Sequence, residues 1–219
     1  ISRLQHRRHG FARKIEDLGR ITAGIEQNPH SLSALYRAQK SIGASTNLEE
    51  SILAITRDAL YGWTSEKLAR AQTALGESGF LYLFDHGYPA ADSVDLHAFH
   101  AAEIPYAFGN IDRTTPVWPK IPDTRAERAF SDAMIEYWTS FAKAGEPRAP
   151  HQPDWPAYGS NRAYMHFAEK PQPRMRLMPG MFELNDEVVC RRRAQGEQAW
   201  NWNVGIVAPS LPPRGGCAR

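Results

Sequence analysis

The sequence predicts an α/β protein. Three observations carry that expectation: a capped amphipathic helix over 124–144, a short aromatic and aliphatic run at 79–84, and a second short apolar run at 164–167. Helices flanking short apolar strands pack as layers around a sheet. The 219 residues are enough for a domain with a sizeable core. With 42% hydrophobic and 23% charged residues, the composition is that of a globular chain, not of a disordered, collagen-like or coiled-coil one.

The elements follow in order. Asn47 and Glu50 have N-cap and N3 spacing, and Ile52, Ile55, Ala59 and Leu60 recur at helical period behind them. Trp63-Thr64-Ser65 reads as an interruption. Leu68, Ala71, Gln72 and Leu75 predict another helix ending at Gly76. Gly79-Phe80-Leu81-Tyr82-Leu83-Phe84 lacks polar alternation and reads as a strand buried on both faces. Residues 85–100 read as a loop with Gly87, Pro89 and three histidines. In the helix at 124–144, Thr124 and Glu127 form a capping box, and Phe130, Met134, Trp138, Phe141 and Ala142 form one apolar stripe. Gly145 and Pro147 end it. Asp154-Trp155-Pro156-Ala157-Tyr158 reads as a turn, Tyr164-Met165-His166-Phe167 as a short edge strand, and 180–195 as a last helix. The organisation expected is an Arg-rich segment at 1–30, packed structure at 31–203 and a loose Pro/Gly-rich tail at 204–219.

Charge and ligand patterns narrow the function. The formal charge of +2, from 26 basic and 24 acidic residues, is too even for a dedicated nucleic-acid binder. No apolar run approaches the ~18–20 residues that cross a bilayer, so no membrane span is expected. The eight histidines lack metal-ligand spacing with cysteines or carboxylates, and no phosphate loop or dinucleotide fingerprint is present. No cofactor or metal is therefore expected. Cys190 and Cys217 leave a disulfide open.

The informative stretch is His97-Ala98-Phe99-His100-Ala101-Ala102-Glu103-Ile104-Pro105-Tyr106-Ala107-Phe108-Gly109-Asn110. It follows the strand at 79–84 after a loop, where α/β sheets collect function. In a short helix, Glu103 shares a face with His100. His100, Glu103, Ile104, Pro105, Phe108, Gly109 and Asn110 match the pattern His-x-x-Glu, apolar-aromatic run, Phe-Gly-Asn. The segment resembles the catalytic-histidine region of the type-B carboxylesterases, the cholinesterase-like branch of the α/β-hydrolases. His97 stands where that family usually has Gly. The likeness continues in Thr56-Arg57-Asp58 with Tyr61, in Leu81-Tyr82-Leu83-Phe84-Asp85-His86, in the helix ending Phe141-Ala142-Lys143-Ala144-Gly145-Glu146-Pro147, in Trp155-Pro156-Ala157-Tyr158 and in Met165-His166-Phe167. It covers about residues 45–170.

The resemblance implies the C-terminal part of an α/β-hydrolase fold and serine esterase chemistry. His100 would be the general acid/base. Glu103 and Asp58 would hold the histidine loop from behind. His97, Phe99 and Tyr106 would line a pocket. The substrate would be a small carboxylic ester. The serine elbow of this fold needs Gly-x-Ser-x-Gly between a strand and a helix. Gly76-Glu77-Ser78-Gly79-Phe80 fails at its last position and has a helix before it and a strand after it. Glu16 and Asp17, the only carboxylates in 1–25, read as a solvated helix face. The expected partner is thus an N-terminal, Ser-bearing chain or segment of the same enzyme. The alternative is a cholinesterase-like binding module without catalysis. A third reading, an Arg-mediated anion or nucleic-acid binder, rests only on the two arginine clusters, the Arg-rich start and Arg191-Arg192-Arg193.

Overall fold

The computed structural model describes residues 57–194, except the side chains of Arg192 and Arg193. The Arg-rich start, the helix start around Asn47 and Glu50, Glu16 and Asp17, Trp200-Asn201-Trp202, the tail and Cys217 lie outside the described residues. The elements are a π-helical turn (Asp58–Gly62), α1 (Trp63–Ala74), β1 (Tyr82–Phe84), α2 (Pro89–Asp92), α3 (Ile104–Ala107), α4 (Arg125–Ala144), β2 (Ala163–Phe167), β3 (Pro171–Met175) and α5 (Met181–Ala194). The chain divides into two compact units. One is Ser65–Leu177; the other joins the two chain ends and is described at 57–64 and 178–194.

In the unit of the chain ends, Trp63 does not interrupt a helix. Its N–H donates to Asp58 O, an i→i−5 bond that widens one turn into a π-helix and leads straight into α1. Thr64 Oγ1 donates back to Leu60 O at 2.6 Å. Gly62 leaves room for Phe182 of α5; a Cβ there would lie 3.1 Å from the Phe182 ring. Trp63 Nε1 donates to Asp186 Oδ1 at 2.9 Å. Cys190, on α5, is disulfide-bonded. Arg191 pairs with Glu187 one turn back, as i,i+4 spacing allows.

In the central unit, β1 and β2 are parallel and β2 and β3 antiparallel. A parallel pair needs a crossover, and the 20-residue α4 lies within it. The strand expected at the edge, 164–167, is instead the middle strand of a sheet in the order β1-β2-β3. β3 went unread because Pro171 and Pro173 argue against a strand; a sheet tolerates proline at an edge, and among the described residues β3 is an edge strand. β1 is not buried on both faces: Tyr82 is exposed and Leu83 and Phe84 are half-buried, because β2 is its one partner among the described residues.

Thr124 caps α4, its Oγ accepting from Glu127 N–H at 3.2 Å. Gly145 ends the helix at φ +74°, where a side chain would be strained. The stripe that packs on the sheet is Phe130, Met134 and Tyr137, with Trp138 half-buried. Phe141 was expected on that stripe but is 47% exposed, and Ala142 is exposed, because the stripe leaves the sheet at the last turn. Met165 and Phe167 of β2 meet this helix face. Rings interlock around them: Phe167 lies 5.3 Å from Trp155, 5.7 Å from Trp138 and 5.9 Å from Tyr137, mostly edge to face. The polar heads are used. Trp155 Nε1 donates to Leu81 O at 3.1 Å, and Tyr137 Oη donates to Pro153 O.

Phe167 is fully buried against five aromatic side chains. Phe167→Ala is expected to cost about 3–5 kcal/mol of stability, and Phe141→Ala under about 1.5 kcal/mol, because little area and no closed cavity is involved at Phe141. Urea unfolding of the two variants checks the ordering.

Candidate active site

The parallel strands β1 and β2 end side by side, Phe84 opposite Phe167. The chain leaving β1 carries His86. Its Nδ1 lies 2.8 Å from Ala168 O, just past the end of β2, and its Nε2 lies 2.9 Å from Glu127 Oε2 on α4. A carbonyl can only accept, so Nδ1 donates. The ring stacks on Phe130 at 4.4 Å. Tyr106, on α3, donates its hydroxyl to the same Glu127 oxygen at 2.7 Å. Ser131 Oγ donates to Tyr106 O at 2.8 Å. His86, Tyr106, Glu127 and Ser131 are all buried.

Electrostatics fit this cluster. Burial alone would raise the Glu127 carboxyl, but the hydrogen bonds from His86 and Tyr106 and the charge of His86 outweigh it, and the group sits below its ordinary value. Burial, then the Glu127 bond and charge, pushes the Tyr106 phenol far above its usual range, so it stays a donor. Tyr88 feels the same carboxylate less: burial and then the Glu127 charge raise it, and its hydroxyl donates to Pro119 O at 2.8 Å.

His100 lies exposed on the turns before α3. Ala102 N–H donates to Phe99 O and Ile104 N–H to Ala101 O, so two successive turns feed the helix. Ala101, directly after His100, has φ +69°, and Asp95 and His97 have φ +62° and +47°. This is the left-handed region, costly for residues with a Cβ. His97 takes the glycine-like angle at the position where the pattern usually has Gly. It is exposed, with Nδ1 3.0 Å from Asp92 Oδ1 and Nε2 3.1 Å from Asp95 Oδ1. Those bonds, Asp92 first, raise its pKa.

Among the other candidates, Phe99 is half-buried and meets Trp118 edge to face at 5.0 Å. Tyr106, expected to line a pocket, is placed in the core with its hydroxyl on Glu127. Glu103 is half-buried at the start of α3, and its charge, after burial, helps to raise the Tyr82 phenol. Asp58 belongs to the unit of the chain ends, 1% exposed, with Arg57 Nε donating to it at 2.7 Å. Burial raises its carboxyl and Arg57 opposes the shift. Ser78 is exposed in the connection between α1 and β1. Among the described residues, no three His, Cys, Asp or Glu are grouped to hold a metal ion, and no helix is long and apolar enough to cross a membrane.

Gly109 closes α3 at φ +66° against α4. Residues 15–184 match the Carboxylesterase family. The chain belongs to that family. Bovine carboxylesterase 4A is 27% identical over 124 residues, 54% of this chain and 21% of its own length. The medium-chain fatty acyl-CoA hydrolase precursor of Anas platyrhynchos is 26% identical over 164 residues, 69% of this chain and 28% of its own. Among solved structures, the Geobacillus stearothermophilus carboxylesterase EST55 superimposes with a TM-score of 0.55 at 27% identity, covering 72% of this chain and 32% of the other. The chain thus spans 21% and 28% of the length of these two curated relatives, and its mixed sheet with flanking helices is part of an α/β-hydrolase fold.

Sequence reading missed the Glu127 cluster. It assigned Glu127 to a capping box and left His86 as a loop residue. The available signal was position: Glu127, Phe130, Ser131 and Met134 share one helix face, so two polar residues sit on the apolar stripe.

Two outcomes follow from this geometry. A Cβ on Gly109 would lie 2.9 Å from Ile135 Cδ1, in a backbone region that already disfavours side chains. Gly109→Ala is expected to destabilise the protein by about 1–3 kcal/mol in chemical denaturation. For Glu127, a folded-state pKa below the unfolded one means that its contribution is complete above the unfolded value of about 4.3. It is lost as the pH falls through the folded value. The stability gap between native protein and Glu127→Gln should therefore be flat above about pH 5 and narrow in more acid solution. A series of melts from pH 7 to pH 3 measures it.

Proposed function

We propose that this chain supplies the general acid/base, His100, of a serine carboxylesterase whose nucleophile and triad acid lie in an N-terminal, Ser-bearing segment. The observation that carries the reading is the placement of His100. It is exposed on strained turns that follow β1 in the chain, and loops beyond the carboxyl ends of parallel strands are where α/β folds assemble their sites. Family membership and the names of the relatives support ester hydrolysis as the reaction class.

The chemistry asks of the imidazole that it reach the serine hydroxyl and pass a proton in both directions. It takes the serine proton as the hydroxyl attacks the ester carbonyl, then returns a proton to the departing alcohol. Water, activated by the same ring, releases the acid from the acyl-enzyme. Glu103 would support the histidine loop, and Phe99 and His97 would border the substrate. A small carboxylic ester is the substrate class.

In the intact protein, His100→Ala should lower ester turnover by about three orders of magnitude or more while leaving the unfolding midpoint near native, since the side chain is exposed. A fluorophosphonate probe should label a serine of the native protein. Full turnover in His100→Ala overturns the role of His100. A complete lack of labelling favours a binding module without catalysis.

A further inference from the structure

We infer that Glu127 is a positioning residue for the histidine loop, acting through Tyr106 and locked in place by His86. The inference rests on the proposed role of His100. It starts from one atom. Glu127 Oε2 is 2.7 Å from the Tyr106 hydroxyl and 2.9 Å from His86 Nε2. Tyr106 lies six residues beyond His100, at the inner face of the four-residue helix that the His100 turns lead into. The backbone of that helix is held a second time by Ser131 Oγ, which donates to Tyr106 O at 2.8 Å. Both holds come from the first two turns of α4, a 20-residue helix seated on the sheet.

The second partner explains why a carboxylate is needed. His86 gives one N–H to Ala168 O, so its other nitrogen faces Glu127. A proton must lie in that gap, and the same oxygen must accept from Tyr106. A carboxylate oxygen does both. Glutamine does this less well: its uncharged oxygen is a weaker acceptor for both bonds, and its nitrogen placed there leaves the Tyr106 proton without an acceptor. Glu127→Gln therefore weakens the hold on His86 and Tyr106 or releases Tyr106. Because the three side chains are buried, water does not replace the lost bond.

A histidine that shuttles protons must be held within a fraction of an ångström of its partners. A displacement of about 1 Å can cost about a hundredfold in rate. Ground-state substrate contacts do not pass through Glu127, which is buried. The predicted signature is a fall in kcat with KM unchanged.

The test measures two things on the intact protein: ester turnover and the 1H–13C resonance of the His100 ring. Glu127→Gln is expected to lower kcat about tenfold to a hundredfold at native KM and to shift the His100 resonance. Glu127→Asp, which keeps the acceptor but shortens the arm, should recover part of the rate. Adding Tyr106→Phe to Glu127→Gln should lower kcat less than the two single effects predict, since the amide then has one demand to meet. If Glu127→Gln does not fold, Ser131→Ala loosens the same helix and should give a smaller change of the same kind. A native kcat together with a native His100 resonance in the folded variants overturns the inference. If His100→Ala keeps full turnover, the proposed function falls; the His100 resonance alone then decides whether Glu127 positions the loop.

Discussion

Four segments of this chain meet at Glu127 Oε2: the exit of β1 through His86, the exit of β2 through the Ala168 carbonyl that His86 also holds, α3 through Tyr106, and α4 through Glu127 itself. The two strand exits, at His86 and Ala168, are not fixed by regular secondary structure at that point. Apolar burial brings α4 onto the sheet, but it is non-directional and tolerates sliding. The paired hydrogen bonds to one oxygen are directional and allow one register. Their net energy is a different matter. A buried ion pair can be no more stabilising than well-packed apolar groups, yet removing one partner strands the other at a cost of about 3–5 kcal/mol. The cluster therefore acts less as a source of stability than as a penalty on every other arrangement of the loop.

That penalty balances a local cost. Asp95, His97 and Ala101 hold left-handed backbone angles within seven residues, each disfavoured by roughly 1–2 kcal/mol for a residue with a Cβ. A loop under such strain relaxes unless its flanks are fixed. Upstream, Tyr88 is fixed by its bond to Pro119 O; downstream, Tyr106 is fixed by Glu127 and Ser131. Strained turns between two buried anchors give an exposed but directed histidine, and strain of this sort collects at functional sites. His97 and its two aspartates show how the glycine position is filled otherwise: histidine and aspartate enter left-handed angles more readily than bulkier residues.

Much of the fold was legible because its elements carry strong local signals. Thr124, Gly145 and the stripe from Phe130 give α4 its ends and its face, and the structure departs only at Phe141 and Ala142, where the helix outruns the sheet. The run at 79–84 was read as a strand, but its burial was not, because burial depends on how many neighbours a strand has. The proline-bearing β3 was missed for the same reason: edge and centre are properties of the sheet and leave no mark on five residues. Trp63-Thr64-Ser65 looked like a break because a π-turn displaces the helical period without ending the helix. At the site, His100 was found through its motif. Glu127 was not, since the partners of its carboxylate lie 41 and 21 residues away in sequence.

The misreading of Glu127 is itself instructive. A capping box assigns two tasks: the N-cap oxygen accepts from the N3 backbone N–H, and the N3 carboxylate reaches back to the N-cap N–H. Here the first is done, Thr124 Oγ accepting from Glu127 N–H. The second is not needed, because Thr124 N–H donates to Pro122 O at 2.9 Å. One backbone turn before α4 thus satisfies the donor that would have occupied the carboxylate. Glu127 still gains from the helix N-terminus, where a negative charge is favoured. Its side chain is left to point inward along the face it shares with Phe130 and Ser131. A short loop at Pro122 therefore decides whether a glutamate merely caps a helix or holds the loop that carries His100.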